Sequence, residues 1–197
     1  MKDKIKQKVL EAKKEAILEV LTDYFNRVGY ANSTASDIAK ELNISVGALY
    51  KLFNSKDELY FEYIKYQINI FYKELLKQTI VLDNPKDKLK KYIELKFATF
   101  CAKKQAFADP LLGDPLFFTK FNANNSNIIE PIAKFLEEQF EELHQTEPLK
   151  ITNFMQAAYI FNANVMAYID YWLIYDGKLN SKTDECFDIS MSGLLSD

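Results

Sequence analysis

The scarcity of residues that break a regular backbone most constrains what this chain can fold into. Only 5 glycines and 5 prolines occur in 197 residues, which is less than half of the usual combined share of about 12%. Sandwiches and barrels need a turn signal roughly every 8 to 12 residues, whereas long helices need few breaks. The sequence therefore predicts an all-α protein, and its 48% hydrophobic content can fill a substantial core.

The breaks divide the chain into about nine predicted helices, most of them supported by apolar residues at helical spacing. These are residues 8–28, 35–42, 46–53, 56–81, 86–107, 116–121, 127–144, 149–176 and 183–195. Gly29 and Asn43 suit the left-handed positions that end helices. Thr34 and Asp37 resemble a capping box, while Ser55 and Glu58 form a clearer one.

Cysteine usage and hydropathy indicate a cytoplasmic protein. Cys101 and Cys186 are the two cysteines, and no CxxC spacing occurs, so a reduced compartment is the simplest interpretation. The N-terminus lacks the apolar stretch of a signal peptide. The most apolar run, residues 159–175, is interrupted by polar residues and is shorter than the roughly 20 residues that span a bilayer. We expect no membrane partner.

The first sixty residues contain the pattern of a helix-turn-helix motif. A helix is followed by a second of about two turns, a short turn and a third helix, which would enter the DNA major groove. Leu49 and Phe53 can anchor this third helix to Phe25, Ile38 and Leu42. That anchoring leaves five residues available to DNA, namely Val46, Gly47, Ala48, Tyr50 and Lys51.

The residues themselves sharpen this interpretation. The segment closely resembles the DNA-binding domain of the TetR/AcrR family of bacterial repressors in the motif Phe25-x3-Gly29-Tyr30-x3-Thr34-x3-Ile38-Ala39-x2-Leu42-x2-Ser45-x-Gly47-x-Leu49-Tyr50-x2-Phe53-x-Ser55-Lys56-x2-Leu59. The resemblance implies a homodimeric, all-helical repressor. Residues 1–60 would form its DNA-binding domain. Residues 61–197 would form a larger helical domain that binds a small molecule and dimerises mainly through its last two helices.

The resemblance also assigns contacts with a double-stranded DNA operator. Thr34 matches a hydroxyl that bonds a phosphate, and Ser36 lies where the family often reaches the edge of the DNA. Tyr50 matches a tyrosine that contacts the backbone, and Lys56 matches a lysine that meets a phosphate beside free helix amides. The base-reading positions correspond to Val46, Gly47, Ala48 and Lys51.

Departures from the family pattern suggest the operator's composition. Leu52 replaces a His or Tyr that often contacts the backbone, and Asn43 replaces the usual turn glycine. Val46 replaces a more common polar residue and, like Ala48, suits thymine methyl groups. No arginine follows Arg27, so the usual bidentate reader of guanine is missing from the third helix. We therefore predict a palindromic operator that favours A·T pairs.

The charge balance differs between the two predicted domains. Residues 1–60 carry 10 Lys and Arg against 9 Asp and Glu, and residues 61–197 carry 15 against 19. The first 14 residues alone have 6 lysines against 2 acidic residues. We expect this lysine-rich arm to lie along phosphates or in a minor groove, although a solvated, disordered tail is an equal alternative.

The C-terminal part contains aromatic and flexible side chains that could receive an apolar or aromatic effector. The candidate ligand-binding residues are Phe97, Phe100, Phe118, Tyr159, Asn162 and Met166. An amide inside an apolar helix needs a hydrogen-bond partner when it is buried, and a ligand could be the partner of Asn162. The alternative is that these residues simply form the core and satisfied structural amides.

The last two predicted helices are apolar on more than one face, so one face could meet a second copy of the chain. The candidate dimer-interface residues are Phe161, Val165, Tyr168, Trp172 and Phe187. Two recognition helices in such a dimer could lie about 34 to 36 Å apart, which is one turn of DNA. Ligand binding would then weaken DNA affinity by favouring a different spacing or tilt.

Two other classes of function compete with this interpretation. An enzyme is disfavoured because His144 is the one histidine, so no catalytic triad or multi-histidine metal site can form within one subunit. No phosphate-binding glycine loop occurs, and we expect no cofactor, no metal and no catalytic residue. The other alternative is a helical small-molecule-binding or protein-interaction module that merely retains a helix-turn-helix shape.

Overall fold

The computed structural model describes residues 2–107 and 128–196, and this part of the chain confirms the all-α fold class. It contains nine α-helices and one 3-10 helix. The α-helices are α1 (Lys2–Val28), α2 (Ala35–Glu41), α3 (Val46–Tyr50), α4 (Lys56–Thr79), α5 (Pro85–Ala102), α6 (Lys104–Phe107), α7 (Glu130–His144), α8 (Phe154–Tyr175) and α9 (Thr183–Leu194). The 3-10 helix, Leu179–Lys182, lies between α8 and α9.

The described residues form two compact units. The first contains residues 2–69 and 103–107, and the second contains residues 70–102 and 128–196. Helix α4 begins in the first unit and ends in the second. The predicted functional boundary after residue 60 stays a prediction.

Local cap chemistry explains the turns of the first unit. Gly29 and Asn43 both have positive φ, at 79° and 52°, in agreement with their predicted roles. Thr34 caps α2 in a reciprocal capping box with Asp37, which satisfies backbone donors at both residues. Ser45 caps α3 by accepting a hydrogen bond from Ala48 N at 3.1 Å.

The core of the first unit holds α3 in place. Phe25, Ile38, Leu49 and Phe53 are all buried, as the helix-turn-helix interpretation requires. The aromatic cluster continues into α4, where Tyr63 lies 4.9 Å from Phe25 between ring centroids. Burying such large side chains stabilises each by about 1.5 to 3 kcal/mol, so the short α3 is stabilised mainly by tertiary packing.

Helices α5, α7 and α8 pack together in the second unit. Helix α7 buries one broad stripe that includes Phe135, Leu136 and Phe140, and Phe140 meets Phe161 of α8 edge to face. The buried side chains of α8 recur three or four residues apart, at Ala157, Ala158, Phe161, Val165, Ile169 and Trp172. This spacing places one face of α8 in the core.

Several helix boundaries differ from the predicted ones. Helix α1 starts at Lys2 rather than residue 8, and α3 ends at Tyr50 rather than residue 53. The predicted helix 86–107 is divided at Lys103 into α5 and α6. The end of α3 is a place where few hydrogen bonds distinguish helix from turn, whereas the start of α1 and the division at Lys103 are larger departures from the prediction. The predicted helix 116–121 lies outside the described residues.

Candidate nucleic-acid interface and effector pocket

Helix α3 presents an exposed surface around one buried anchor. Leu49 is buried, whereas Val46, Gly47, Tyr50 and Lys51 are exposed. Ala48, which was also predicted to face DNA, is half-buried. A Cβ added at Gly47 would meet no protein atom closer than 4.0 Å. The protein interior therefore does not require glycine at this position, and a close external approach remains a reason for it.

The start of α2 exposes the predicted hydroxyl groups of Thr34 and Ser36. Thr34 Oγ1 accepts a hydrogen bond from Asp37 N at 3.1 Å and donates its own proton to Asp37 Oδ2. These bonds lower the pKa of the Asp37 carboxyl below its ordinary value. Because a hydroxyl has a single proton, a phosphate contact through Thr34 requires that proton to turn away from Asp37.

An aromatic side chain positions Lys56 at the start of α4. The Lys56 ammonium lies 4.0 Å from the centroid of the Tyr30 ring, within the range of a cation–π interaction. Tyr30 stacks on Tyr60 and donates a hydrogen bond to Asp57 Oδ1 at 2.6 Å. Tyr30 thus supports a predicted phosphate contact, although the sequence analysis assigned it no role of its own.

The lysine-rich arm is the exposed first part of α1. Residues 2–13 are all helical and exposed. A helix with its side chains is about 10 to 12 Å across, whereas the minor groove of B-DNA is about 6 Å wide. This arm is an exposed helix, so the predicted insertion would require the minor groove to widen, and it stays a prediction. Contact with phosphates stays a prediction.

An apolar pocket lies inside the second unit, among α5, α7 and α8. Its volume is about 40 Å³, and its lining consists of Tyr92, Lys96, Ile129, Ile132, Ala133, Leu136, Ala158, Tyr159 and Asn162. Ligand pockets are commonly larger, from about 300 Å³ upward, and they combine apolar walls with a few polar groups. The composition of this pocket fits that description.

Only part of the predicted ligand set lines this pocket. Tyr159 and Asn162 do so, whereas Phe97 is fully buried elsewhere in the core. Phe100 and Met166 are half-buried but are not among the lining residues. The periodicity of α5 and α8 identified apolar faces without distinguishing pocket from core. Phe118 lies outside the described residues.

Three polar side chains meet at one side of the pocket. Lys96 Nζ donates to Tyr92 Oη at 2.7 Å and also to Asn162 Oδ1, and Tyr92 Oη donates to the same amide oxygen. Burial lowers the pKa of Lys96 to about 7, and the charge of Asp170 partly opposes this shift. Lys96 and Tyr92 were not predicted as pocket residues. The signal was a lysine within the buried stripe of α5, seven residues after Leu89.

The predicted dimer-interface residues require a correction. Phe161 and Val165 have no exposed surface and Trp172 has 8%, so the core of their own unit already covers these side chains. The prediction that these three meet a second subunit is therefore wrong. Tyr168 and Phe187 are half-buried. The exposed apolar stripe on α8 instead consists of Ile160, Ala163, Ala167, Tyr171 and Ile174.

His144 has a structural role at the end of α7. Its Nδ1 accepts a hydrogen bond from Leu149 N at 3.0 Å, and its ring packs 5.2 Å from that of Phe154 between centroids. Among the described residues, no cluster of three or more His, Cys, Asp or Glu side chains could hold a metal ion. Within those same ranges, no helix combines the length and hydropathy needed to cross a membrane.

Comparisons with known proteins support both the motif and the whole fold. Residues 17–63 match the sequence model of bacterial regulatory proteins of the tetR family. The HTH-type transcriptional regulator HbdR of Aromatoleum sp. (strain CIB) is 29% identical over 82 residues, covering 42% of this chain and 36% of that protein. The chain spans about a third of the length of the curated relatives it matches.

Solved structures of two FadR regulators share the fold. FadR of Bacillus subtilis in complex with stearoyl-CoA is 18% identical, with a TM-score of 0.69 over 90% of this chain and 97% of that one. The fatty acid degradation regulator FadR of Bacillus halodurans is 16% identical, with a TM-score of 0.72 over 90% of this chain and 94% of that one. At these identities the similarity establishes the fold alone.

Proposed function

We propose that this TetR-family transcriptional regulator is a homodimeric repressor that leaves a palindromic operator when a small, largely apolar or aromatic effector binds to it. The observation that carries the proposal is the surface of α3, where Val46, Gly47, Tyr50 and Lys51 lie exposed around buried Leu49. In this proposal residues 1–60 bind DNA, and residues 61–197 bind the effector and dimerise.

The roles at the DNA interface follow from chemistry and exposure. Lys51 and Lys56 supply positive charge, and Tyr50 supplies a hydroxyl to the phosphates. Val46 and Ala48 offer apolar contact to thymine methyl groups, and Gly47 lets the backbone approach the duplex. Because no arginine follows Arg27 in the sequence, we propose an operator that favours A·T pairs.

The exposed face of α8 is the proposed dimer surface. Ile160, Ala163, Ala167, Tyr171 and Ile174 follow each other at intervals of three or four residues and are all exposed. A continuous apolar stripe on a helix surface is typical of an interaction site. Its small residues would let the same helix of a second copy approach closely. On α9, Ile189 is a further exposed apolar residue.

The second unit is the proposed effector-binding part. Its pocket has apolar walls and includes Tyr159 and Asn162, and one structural neighbour was solved with stearoyl-CoA. The effector would favour a dimer in which the recognition helices no longer match one DNA turn of about 34 to 36 Å. The effector can weaken DNA binding only by as much as its own affinity differs between the DNA-binding conformation and the released one. Helix α4 continues from the first unit into the second and is the proposed route of this coupling.

Selection from random double-stranded DNA with the purified full chain tests the proposal. We expect enrichment of A·T-rich palindromes, and at least tenfold weaker binding for Tyr50→Ala and Lys51→Ala because base and phosphate contacts each contribute about 1 to 3 kcal/mol. Lys73→Ala is the matched control, since Lys73 is an exposed lysine of the second unit. Stearoyl-CoA and a panel of smaller apolar and aromatic compounds are then titrated against the selected operator.

Each part of the proposal has its own contrary result. Failure to enrich any sequence would favour the alternative of a binding or interaction module with a vestigial motif. A G·C-rich operator would refute the composition alone. An effector that saturates the protein without changing operator affinity would refute the coupling between the ligand and DNA sites.

A further inference from the structure

Lys96 differs from the other lysines of α5 because it has no carboxylate partner within the described residues. Four of those lysines lie within ion-pair distance of a carboxylate, in the pairs Lys86–Glu147, Lys88–Glu142, Lys90–Asp184 and Lys91–Glu94. Lys96 forms no such pair within the described residues, although its side chain is half-buried. The described part of the chain therefore leaves this positive charge without a carboxylate in contact.

The hydrogen bonds of Lys96 leave donors available at the pocket. An ammonium has three protons and no acceptor, and two of them reach Tyr92 Oη and Asn162 Oδ1. Since the ammonium can only donate, the network fixes the oxygen of Asn162 toward Lys96. The amide NH₂ of Asn162 then has no partner among the described residues. One ammonium proton and the amide protons are free to bind an acceptor.

The surroundings of these donors are unfavourable to an uncompensated charge. The remaining lining is mainly apolar, with Ile132, Ala133 and Leu136 from α7 and Ala158 from α8. Burial of an ammonium in such surroundings lowers the pKa of Lys96 to about 7. The charge of Asp170 opposes this shift, but no ion pair joins Asp170 to Lys96 within the described residues. A ligand that brings a negative charge would therefore gain from binding here.

We propose that the effector of this pocket is a monocarboxylate, whose two oxygens bind Lys96 Nζ and Asn162 Nδ2 while its hydrocarbon part contacts Ile132, Ala133 and Leu136. A carboxylate accepts hydrogen bonds at both oxygens, which matches the two free donors. This inference rests on the proposed function, since it names the chemical class of the effector that the second unit takes.

Calorimetric titration of the full chain tests the inference without DNA. The probes are straight-chain carboxylates from butyrate to palmitate, together with phenylacetate and phenylbutyrate. Each is compared with the alcohol of the same carbon skeleton and with the corresponding coenzyme A thioester. We expect at least one carboxylate to bind about tenfold or more tightly than its alcohol, because a charge-assisted hydrogen bond is about twice as strong as a neutral one.

Three variants separate an anchoring role from a structural one. Lys96→Met removes the charge and keeps an apolar stem, so carboxylate affinity should fall at least tenfold while alcohol affinity is unchanged or higher. Asn162→Asp places an internal carboxylate beside Lys96 and should abolish the same preference in a chain that keeps its shape. Lys91→Met is the matched control on α5, because Lys91 already pairs with Glu94, and it should bind like the parent protein.

Equal affinity of every carboxylate and its alcohol would overturn the inference, as would a preference that survives in Lys96→Met. Tight binding of thioesters alone, without dependence on Lys96, would also overturn it. Operator release is measured separately with the same probes. A carboxylate that binds through Lys96 without releasing DNA contradicts the proposed repressor mechanism but supports the proposed ligand class. An uncharged effector that releases DNA supports the repressor mechanism but contradicts the proposed ligand class.

Discussion

Replacing Lys96 by Met should change how the stability of the second unit depends on pH. The ammonium of Lys96 lies at a mainly apolar pocket on a half-buried side chain, and burial lowers its pKa from 10.5 to about 7. In the unfolded chain the same group is hydrated and keeps its ordinary value. Between these two values the unfolded state binds more protons than the folded state, so the free energy of unfolding rises with pH. Below about pH 7 both states are protonated, and the full penalty for burying the charge applies.

The size of the effect follows from the two pKa values. Each unit of difference corresponds to about 1.4 kcal/mol, so the slope of stability with pH cannot exceed about 1.4 kcal/mol per pH unit. Lys96→Met has no such penalty, and its advantage over the parent protein should be largest below pH 7. Because the side chain is partly exposed and buried charges relax, we expect about 1 to 3 kcal/mol of this advantage to disappear between pH 7 and pH 10.

Urea denaturation at four pH values from 7 to 10 measures this difference. Trp172 is the one tryptophan in the sequence and lies in the same unit as Lys96, so its fluorescence reports the unit concerned. Titration of tyrosines and cysteines is common to both proteins and cancels in the comparison. Hydrogen bonds lost from Tyr92 and Asn162 add a nearly constant offset. A difference that stays flat from pH 7 to pH 10 would refute the reasoning, and Lys91→Met should show that flat behaviour.

Three further predictions concern the fold, the DNA interface and the dimer. Gly47→Ala should raise the free energy of unfolding by up to about 1 kcal/mol, since glycine is unfavourable in a helix. The same change should weaken binding to the selected operator in a gel-shift assay, and unchanged binding would contradict a close approach of the α3 backbone to the DNA. Gly29→Ala should lower the free energy of unfolding by more than about 1 kcal/mol, measured by thermal melting, because φ is 79° and the new Cβ would lie 3.2 Å from Gln105 O. Ala167→Glu should convert the dimer into monomers in sedimentation experiments, and a dimer of unchanged strength would exclude the exposed face of α8.

The turns of the first unit could be predicted from sequence because their causes are local. Positive φ at the end of a helix is sterically easy only for glycine and, less so, for asparagine. Gly29 and Asn43 both have the expected positive φ. The Thr34 and Asp37 capping box likewise depends on residues three apart. The buried anchor Leu49 followed from the same short segment. Such features do not depend on how distant helices pack.

The faces of α8 could not be assigned in this way. Both its buried stripe, with Phe161 and Val165, and its exposed stripe, with Ile160 and Tyr171, are apolar at helical spacing. Periodicity separates faces only when one of them is polar. Phe161 and Val165 were predicted at the dimer surface for this reason, and only the packing of α7 against α8 shows that these residues belong to the core.

Lys96 could be predicted only in part, unlike the local turns, which were predicted, and the faces of α8, which were not. Its position was visible in the sequence, because a lysine interrupts the stripe that contains Leu89, Tyr92, Ile93 and Phe97. The contact that gives the position meaning was not visible, because Asn162 is 66 residues away on another helix. A charged residue at a core position of a helix therefore indicates a partner elsewhere in the fold or a ligand, since the cost of burying a charge must be compensated by hydrogen bonds or an opposite charge.

Within the described residues no carboxylate pairs with Lys96, so a ligand is the proposed source of the negative charge that compensates its burial. A permanent ion pair, such as Lys90 with Asp184, would stabilise the unit at all times and would leave nothing for a ligand to supply. A lysine that keeps a burial penalty in the free protein makes the unit less stable, and the penalty is relieved when an anion arrives. The Lys96 ammonium thus lowers the stability of the second unit in the free protein. It also makes the pocket prefer an anionic ligand over a neutral one of the same shape.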